Sequence, residues 1–430
     1  MEHHDLLILG AGLSGLSTAL HTREDHLLIE REDRAGGLTR TEEIDGFLFN
    51  HTGHWLHLRD DRVRRLVSDL LPGRLLSIAR RARIYTHGVF TEYPFQANLY
   101  GLPAPVLREC LQGAVEAAIR RASRGRTPRL RTFHDYVRFH FGDGIARYFI
   151  VPYNTKLWGV SPDEVTAEWT QRFVPVPDIA RIVDGALGLS EEAMGYNATF
   201  LYPADGGIEA LPQAMVGRLR SDRILLNAAV TAIHAEARIV EAAGLRFHYD
   251  RLVSTLPLPE LVRIIQDAPA DIRRAARRLR CAPLRYMNVG LAVERPLNGV
   301  HWVYLPEPRF PFYRVGSASN AVPYLAPPGR SSLYVELAND RPIANRDAVI
   351  ALAAFLREIG SIARESDLLF AVFREHPYGY VIYDRFCAPA RARILSYCES
   401  RRIRSIGRYG AWTYNSMEDA ILDGMAAAQP

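Results

Sequence analysis

The sequence predicts an α/β fold, and three observations near its start carry that prediction. Leu6-Leu7-Ile8-Leu9 is an unbroken apolar run, as a parallel strand buried on both faces requires. Gly10-Ala11-Gly12-Leu13-Ser14-Gly15 follows at once, and Leu16, Ala19 and Leu20 then recur at helical spacing. A second run, His26-Leu27-Leu28-Ile29, ends on Glu30, 20 residues after Gly10. Strand, glycine turn, helix, strand and acid fall in the order of a Rossmann-like dinucleotide-binding unit.

Each part of that unit has a physical task. Gly10 permits the tight turn, Gly12 lets the backbone approach a pyrophosphate, and Gly15 lets the helix pack close to the strand. Leu13 and Ser14 open the helix, whose free N–H groups and positive dipole end attract phosphate. Glu30 can accept hydrogen bonds from ribose hydroxyls, with Arg31 beside it. Gly36-Gly37-Leu38-Thr39 comes next, where a plain NAD dehydrogenase would continue into a helix. This Gly-Gly pair resembles the second fingerprint of the FAD-dependent amine oxidase and glutathione-reductase-like superfamily, so FAD is the expected cofactor.

Two distant segments fit that expectation. Tyr249 to Pro257 reads as a strand with a Ser-Thr-x-Pro stop at Thr255, and Val230 in the short β segment before it is placed near the adenine. Near the C-terminus, Ile403 to Ile406 reads as a strand entering a loop through Gly407 and Arg408. Asn415 and Ser416 are good N-caps for a helix from Met417 to Ala428. In FAD enzymes of this type such a helix aims its N-terminus at the flavin.

Composition bounds the rest. A chain of 430 residues has room for two or three domains, and 48% apolar with 23% charged residues is ordinary for a globular enzyme. The net charge of +5 is small and spread along the chain, so no nucleic-acid partner is expected. Of the 53 Lys and Arg residues only Lys156 is a lysine. Cys110, Cys281, Cys387 and Cys398 are scattered, without the pairing of a zinc site or disulfide framework, which fits a cytoplasmic protein. No run approaches the roughly 20 apolar residues of a membrane span, and the start lacks a leader's basic region. The histidines at 51, 54 and 57 have no other ligand chemistry near them in sequence, and no metal site is expected.

The middle of the chain narrows the family. Gly53-His54-Trp55-Leu56-His57 is similar to the Gly-Pro-His-x-x-His loop that passes the flavin in UDP-galactopyranose mutases. Tyr153-Asn154-Thr155-Lys156-Leu157-Trp158-Gly159 resembles their Tyr-Thr-x-Lys-x-Trp-Gly segment. Arg172, before Phe173-Val174-Pro175, and Arg314, in Phe312-Tyr313-Arg314, match their two diphosphate arginines. Gly379-Tyr380-Val381-Ile382 matches a Tyr-Tyr-Pro-Ile segment, and Gly407 to Met417 matches the terminal box, with Ser416 where the mutases carry aspartate.

The resemblance implies a redox-neutral mutase that interconverts pyranose and furanose forms of a nucleotide-diphosphate sugar, with N5 of reduced FAD attacking the anomeric carbon. It implies catalytic roles for His54, Arg172, Arg314 and Tyr414. It implies substrate contacts from Tyr153, Trp158, Arg172, Arg314, Tyr380 and Tyr414, and cofactor contacts from His54, Trp55, Gly407, Arg408, Asn415, Ser416 and Met417. Taken singly, each arginine reads as a surface ion-pair partner, and each aromatic as core. The partner is a small molecule, with a homodimer left open. An FAD-dependent oxidoreductase of the amine oxidase or protoporphyrinogen oxidase type is the alternative, and a non-catalytic binding protein of the same fold the third reading.

The expected architecture has three parts. An FAD domain takes 1–92, 197–280 and 396–430, a mostly helical domain takes 93–196, and an antiparallel-sheet substrate domain takes 281–395. The first helix of the insertion should bury Val106, Leu107, Cys110, Leu111, Ala114, Val115 and Ala118. Strands are expected at Arg285 to Val293, Val300 to Leu305 and Ser332 to Leu337.

Overall fold

The computed structural model describes residues 1–123, 128–167, 169–170, 174, 176–189 and 198–429. The first strand, β1 (Glu2–Leu9), leads into helix α1 (Leu13–His21) and strand β2 (His26–Ile29). Leu6, Leu7, Ile8 and Leu9 are fully buried, as a strand covered on both faces requires. β1 pairs in parallel with β2 on one side and with the returning strand Leu245–Ser254 on the other. Ile403–Ser405 and Ile224–Leu225 extend the sheet in parallel, while Val230–His234 and Ile239–Ala242 form an antiparallel flap. The FAD-type sheet is thus assembled from three distant stretches of chain.

The terminal helix Met417–Ala427 crosses α1 at very short range. A Cβ on Gly424 would sit 2.4 Å from the Ser14 carbonyl oxygen, and Ser17 Oγ donates to the Ile421 carbonyl at 2.7 Å. The helix is capped by Ser416, whose Oγ accepts from the Asp419 N–H, while Asp419 returns a bond to the Ser416 N–H.

A second seven-stranded sheet is antiparallel except at one junction. Its order is Leu368–Ile382, Arg280–Leu291, Ser331–Leu337, Phe312–Gly316, Trp302–Tyr304, Ala82–Thr86 and Val89–Glu92. Trp302–Tyr304 runs parallel to Ala82–Thr86, a hairpin strand from the segment assigned by sequence to the FAD domain.

The helical part corrects one expected face. In Ala104–Ala122 the buried residues are Val106, Cys110, Gly113, Ala114 and Ala117, while Leu107 and Leu111 are half-buried and Val115 is exposed. The reason is tertiary. The next helix, Phe133–Ile145, crosses through glycines. A Cβ on Gly142 would lie 2.0 Å from the Gly113 carbonyl oxygen, and one on Gly144 would lie 2.3 Å from that of Glu109. Closest approach at Gly113 turns the seam away from Val115.

Lys156 is 1% exposed, and its ammonium donates to the carbonyls of Leu305 (2.8 Å), Glu307 (2.5 Å) and Phe312 (3.2 Å). Burial pushes its pKa down to about 7, but three acceptors suit the three N–H donors of the charged form. The amine therefore ties the helix Val151–Trp158 to the second sheet. Lys156→Met should cost on the order of 3 kcal/mol in denaturant unfolding, because it leaves buried carbonyls without a donor. Flavin binding should survive, since Lys156 does not line the cavity described next.

Candidate active site

A cavity of about 1050 Å³ runs from the glycine turn of β1 to the second sheet. Its first half is backbone. Gly10 has φ +95°, and a Cβ there would meet Thr255 Oγ1 at 2.3 Å; Thr255 itself donates to the Leu9 carbonyl at 2.9 Å. A Cβ on Gly15 would lie 1.9 Å from the Gly10 carbonyl oxygen, so this glycine serves helix packing and does not line the cavity. Gly12 caps α1 with nothing within 4 Å of its missing Cβ, leaving the backbone open to a ligand. The Gly36-Gly37 turn docks on the first, since the Gly36 N–H donates to the Ala11 carbonyl (2.8 Å) and both glycines have positive φ.

Glu30 is buried and accepts from the Ala11 N–H (2.7 Å) and the Glu32 N–H (3.0 Å), one on each carboxylate oxygen. It ties the first turn to the chain just after β2, and each oxygen keeps a lone pair for a hydroxyl. Leu13, Ser14, Arg31, Leu38, Thr39, Val230 and Thr255 line the same half. The free Gly12 backbone, the helix end and the buried carboxylate fit the pyrophosphate and ribose of FAD.

The other half is aromatic. Tyr153 stacks on Phe149 at 5.5 Å and stands edge-on to Tyr304 (5.4 Å) and Tyr313 (5.9 Å). Tyr380 and Tyr414 stack at 6.3 Å. Trp158 reaches the wall but is only 5% exposed, edge-on to Phe133 and Trp169, so it offers an edge rather than an open face. Trp55 lines the cavity from a buried cluster with Phe200, Tyr202 and Trp302.

Two arginines supply the charge. Arg408 lies over Tyr414 (4.5 Å to the ring centre) and Tyr380 (5.4 Å), and donates to the carbonyls of Asn415 (3.0 Å) and Gly379 (3.2 Å). Burial works against its charge, but the phenols of Tyr409, Tyr414 and Tyr380 around it keep its pKa above the usual arginine value. Arg314 is held by Glu336 through Nε (3.0 Å) and Nη2, and Glu336 is fully buried. Burial again opposes the charge, and the carboxylate outweighs it. Arg314 is therefore an ion-pair partner, as its residue type suggested, but a half-buried one facing the cavity. Arg172 lies outside the described residues.

His54 lines the cavity near these groups, and its Nδ1 has no close hydrogen-bond partner among the described residues. Burial, then the Arg408 charge, pushes its pKa down to about 4, so the ring is neutral at pH 7. Ser416, Met417 and Asn415 bring the N-terminus of the terminal helix to the wall. Glu336, Tyr304, Tyr313 and His376 were not picked out by sequence. A glutamate within an otherwise uncharged strand was the one available signal for Glu336.

The family profile described as flavin-containing amine oxidoreductase matches residues 13–430. The crystal structure of a reduced UDP-galactopyranose mutase superposes with a TM-score of 0.90 at 26% identity, covering 99% of this chain and 93% of that one. Putrescine oxidase bound to putrescine shares the fold with a TM-score of 0.68 at 16% identity, covering 99% and 98%. Among curated sequences, coproporphyrinogen III oxidase of Mycobacterium tuberculosis is 23% identical over 299 residues. That match spans 65% of this chain and 64% of the relative. No helix among the described residues is long and apolar enough to cross a membrane.

The histidines set an acid limit on stability. Burial is the largest cause in holding His51 down to about 3, and His54 and His301 to about 4, against an ordinary value of 6.5. Between those values the unfolded chain binds the extra protons. Stability should be full above about pH 6.5 and fall as pH drops towards 4, each histidine adding at most about 1.4 kcal/mol per pH unit. Thermal unfolding across that range measures it, and His301→Gln should flatten the decline without affecting flavin content. The family profile takes in α1, the first sheet except β1, the whole second sheet and the terminal helix, and the cavity's glycine half fits its cofactor: the chain belongs to the flavin-containing amine oxidoreductase family, with FAD as cofactor.

Proposed function

We propose that the protein is a redox-neutral mutase that interconverts ring forms of a nucleotide-diphosphate sugar on reduced FAD. One observation carries the reading: Tyr153, Trp158, Arg314, Tyr380 and Tyr414, from separate parts of the chain, line one cavity with His54 and the dinucleotide turn. The likeness to reduced UDP-galactopyranose mutase along nearly the whole chain supports it. When bound and reduced, FAD supplies a nucleophilic ring nitrogen to the anomeric carbon.

The chain's own groups divide the remaining work. Arg314 keeps Nη1 for a diphosphate oxygen while Glu336 fixes its plane. Arg172 would be the second such group. Burial pushes the phenols of Tyr153 and Tyr380 up in pKa, so they stay protonated and donate to phosphate or sugar oxygens without adding charge. Neutral His54 can accept or return a proton. The N-terminus of Met417–Ala427 places a positive dipole end at the cavity, favouring negative charge there. We place the reaction in the cytoplasm.

The sequence relatives favour a second reading, an oxidoreductase passing electrons from its substrate to FAD. A panel of nucleotide sugars with dithionite-reduced protein separates the two. A mutase should give the isomeric ring form without consuming an acceptor. Oxygen or quinone uptake matching turnover would sink the first reading. Arg314→Ala alone would strand Glu336 as a buried charge, so the informative variant is Arg314→Gln with Glu336→Gln. It should bind nucleoside diphosphate roughly ten- to a hundredfold more weakly with FAD retained. Unchanged affinity would remove Arg314 from the site.

A further inference from the structure

We infer a divalent transition-metal site formed by His3, His248 and Asp250, at the end of the first sheet's central strands far from the glycine turn. β1 and Leu245–Ser254 run parallel with His3 opposite His248, so both imidazoles stand on the same face. Their ring centres are 5.1 Å apart with planes inclined by 23°. Asp250, two residues on, returns to that face, with Oδ2 3.6 Å from His3 Nε2. The three side chains offer ligand atoms that all lie within 4.8 Å of one another.

That spacing is wider than the roughly 3 Å between ligand atoms around an ion with 2.0–2.1 Å bonds. His3 is exposed and the other two are half-exposed, so small side-chain rotations can close the gap. The register places Asp5 beside Asp250, adding negative charge on the same face. Arg238 Nη1 lies 3.7 Å from Asp250 Oδ1, the oxygen that does not face His3. Two imidazoles and one carboxylate with open positions suit Zn²⁺, Co²⁺, Ni²⁺ or Cu²⁺ rather than Mg²⁺ or Ca²⁺.

The site was invisible to local spacing, because its ligands come from strands 245 positions apart. Leu9 lies six residues up β1 from His3, about 20 Å away, so the ion would take no part in catalysis. It would clamp the first strand to the returning strand, stabilising the sheet by preferential binding to the folded state.

The test uses the FAD-bound protein, with any tag at the C-terminus removed, stripped with EDTA and titrated with Zn²⁺ by calorimetry. One equivalent should bind and raise the melting temperature, and Co²⁺ should give visible ligand-field bands. His248→Ala and Asp250→Asn should each weaken Zn²⁺ binding at least tenfold with the flavin spectrum unchanged. The exposed control His87→Ala should bind as the parent does. No binding by the parent, or equal binding by both site variants, overturns the inference.

Discussion

Close approach of backbone to backbone around α1 is the constraint on which the rest of the structure depends. Gly15 lets the helix settle onto the Gly10 carbonyl, and Gly37 brings the second turn to within 3.2 Å of the Gly12 Cα, measured from the Cβ it lacks. Gly407 touches Ser14, and Gly424 lets the terminal helix cross the same turn of α1. Contacts this short leave no room for side chains, so they fix helix and loop positions far more tightly than apolar packing alone. The buried carboxylate of Glu30 then ties the first turn to the chain after β2, through the N–H groups of Ala11 and Glu32.

Against that rigid backbone half, the opposite wall carries the chemistry in side chains. Tyr153 packs edge to face on Tyr304 and Tyr313 while Tyr380 and Tyr414 stack, which limits their rotation and presents hydroxyls in fixed directions. Its cations are held in two different ways. Arg314 is neutralised by a carboxylate, and Arg408 rests on carbonyl oxygens and aromatic faces. A substrate anion entering this wall therefore meets one guanidinium already paired and one partnered only by dipoles, and the two sites will not bind phosphate equally.

What was legible in the sequence follows from where the information lies. The dinucleotide turn, the second glycine turn and the terminal cap depend on residues a few positions apart, and each formed as read. Three of the seven strands of the second sheet were also found, though Arg280–Leu291 starts earlier and Trp302–Tyr304 is shorter than expected. The face of Ala104–Ala122 was read one step off, because helical periodicity cannot see the glycine crossing that selects the seam. Arg314, singled out from sequence, lines the cavity, but its partner 22 residues away on a neighbouring strand was not singled out, since strand pairing and not spacing brings them together. Lys156 stood out by rarity alone. Its carbonyl acceptors lie about 150 residues further along, out of reach of any local pattern.

The crossing of α1 by the last helix has a consequence for how the protein is made. As the chain leaves the ribosome, the first 30 residues emerge with the nucleotide turn already encoded. Their parallel neighbour follows more than 200 residues later, and the helix that seals α1 comes at the very end. Until Leu245–Ser254 pairs with it, β1 has an open edge, and loop closure over that separation is slow and costly. The cofactor's half of the cavity therefore closes only through contacts between segments more than 200 residues apart in sequence.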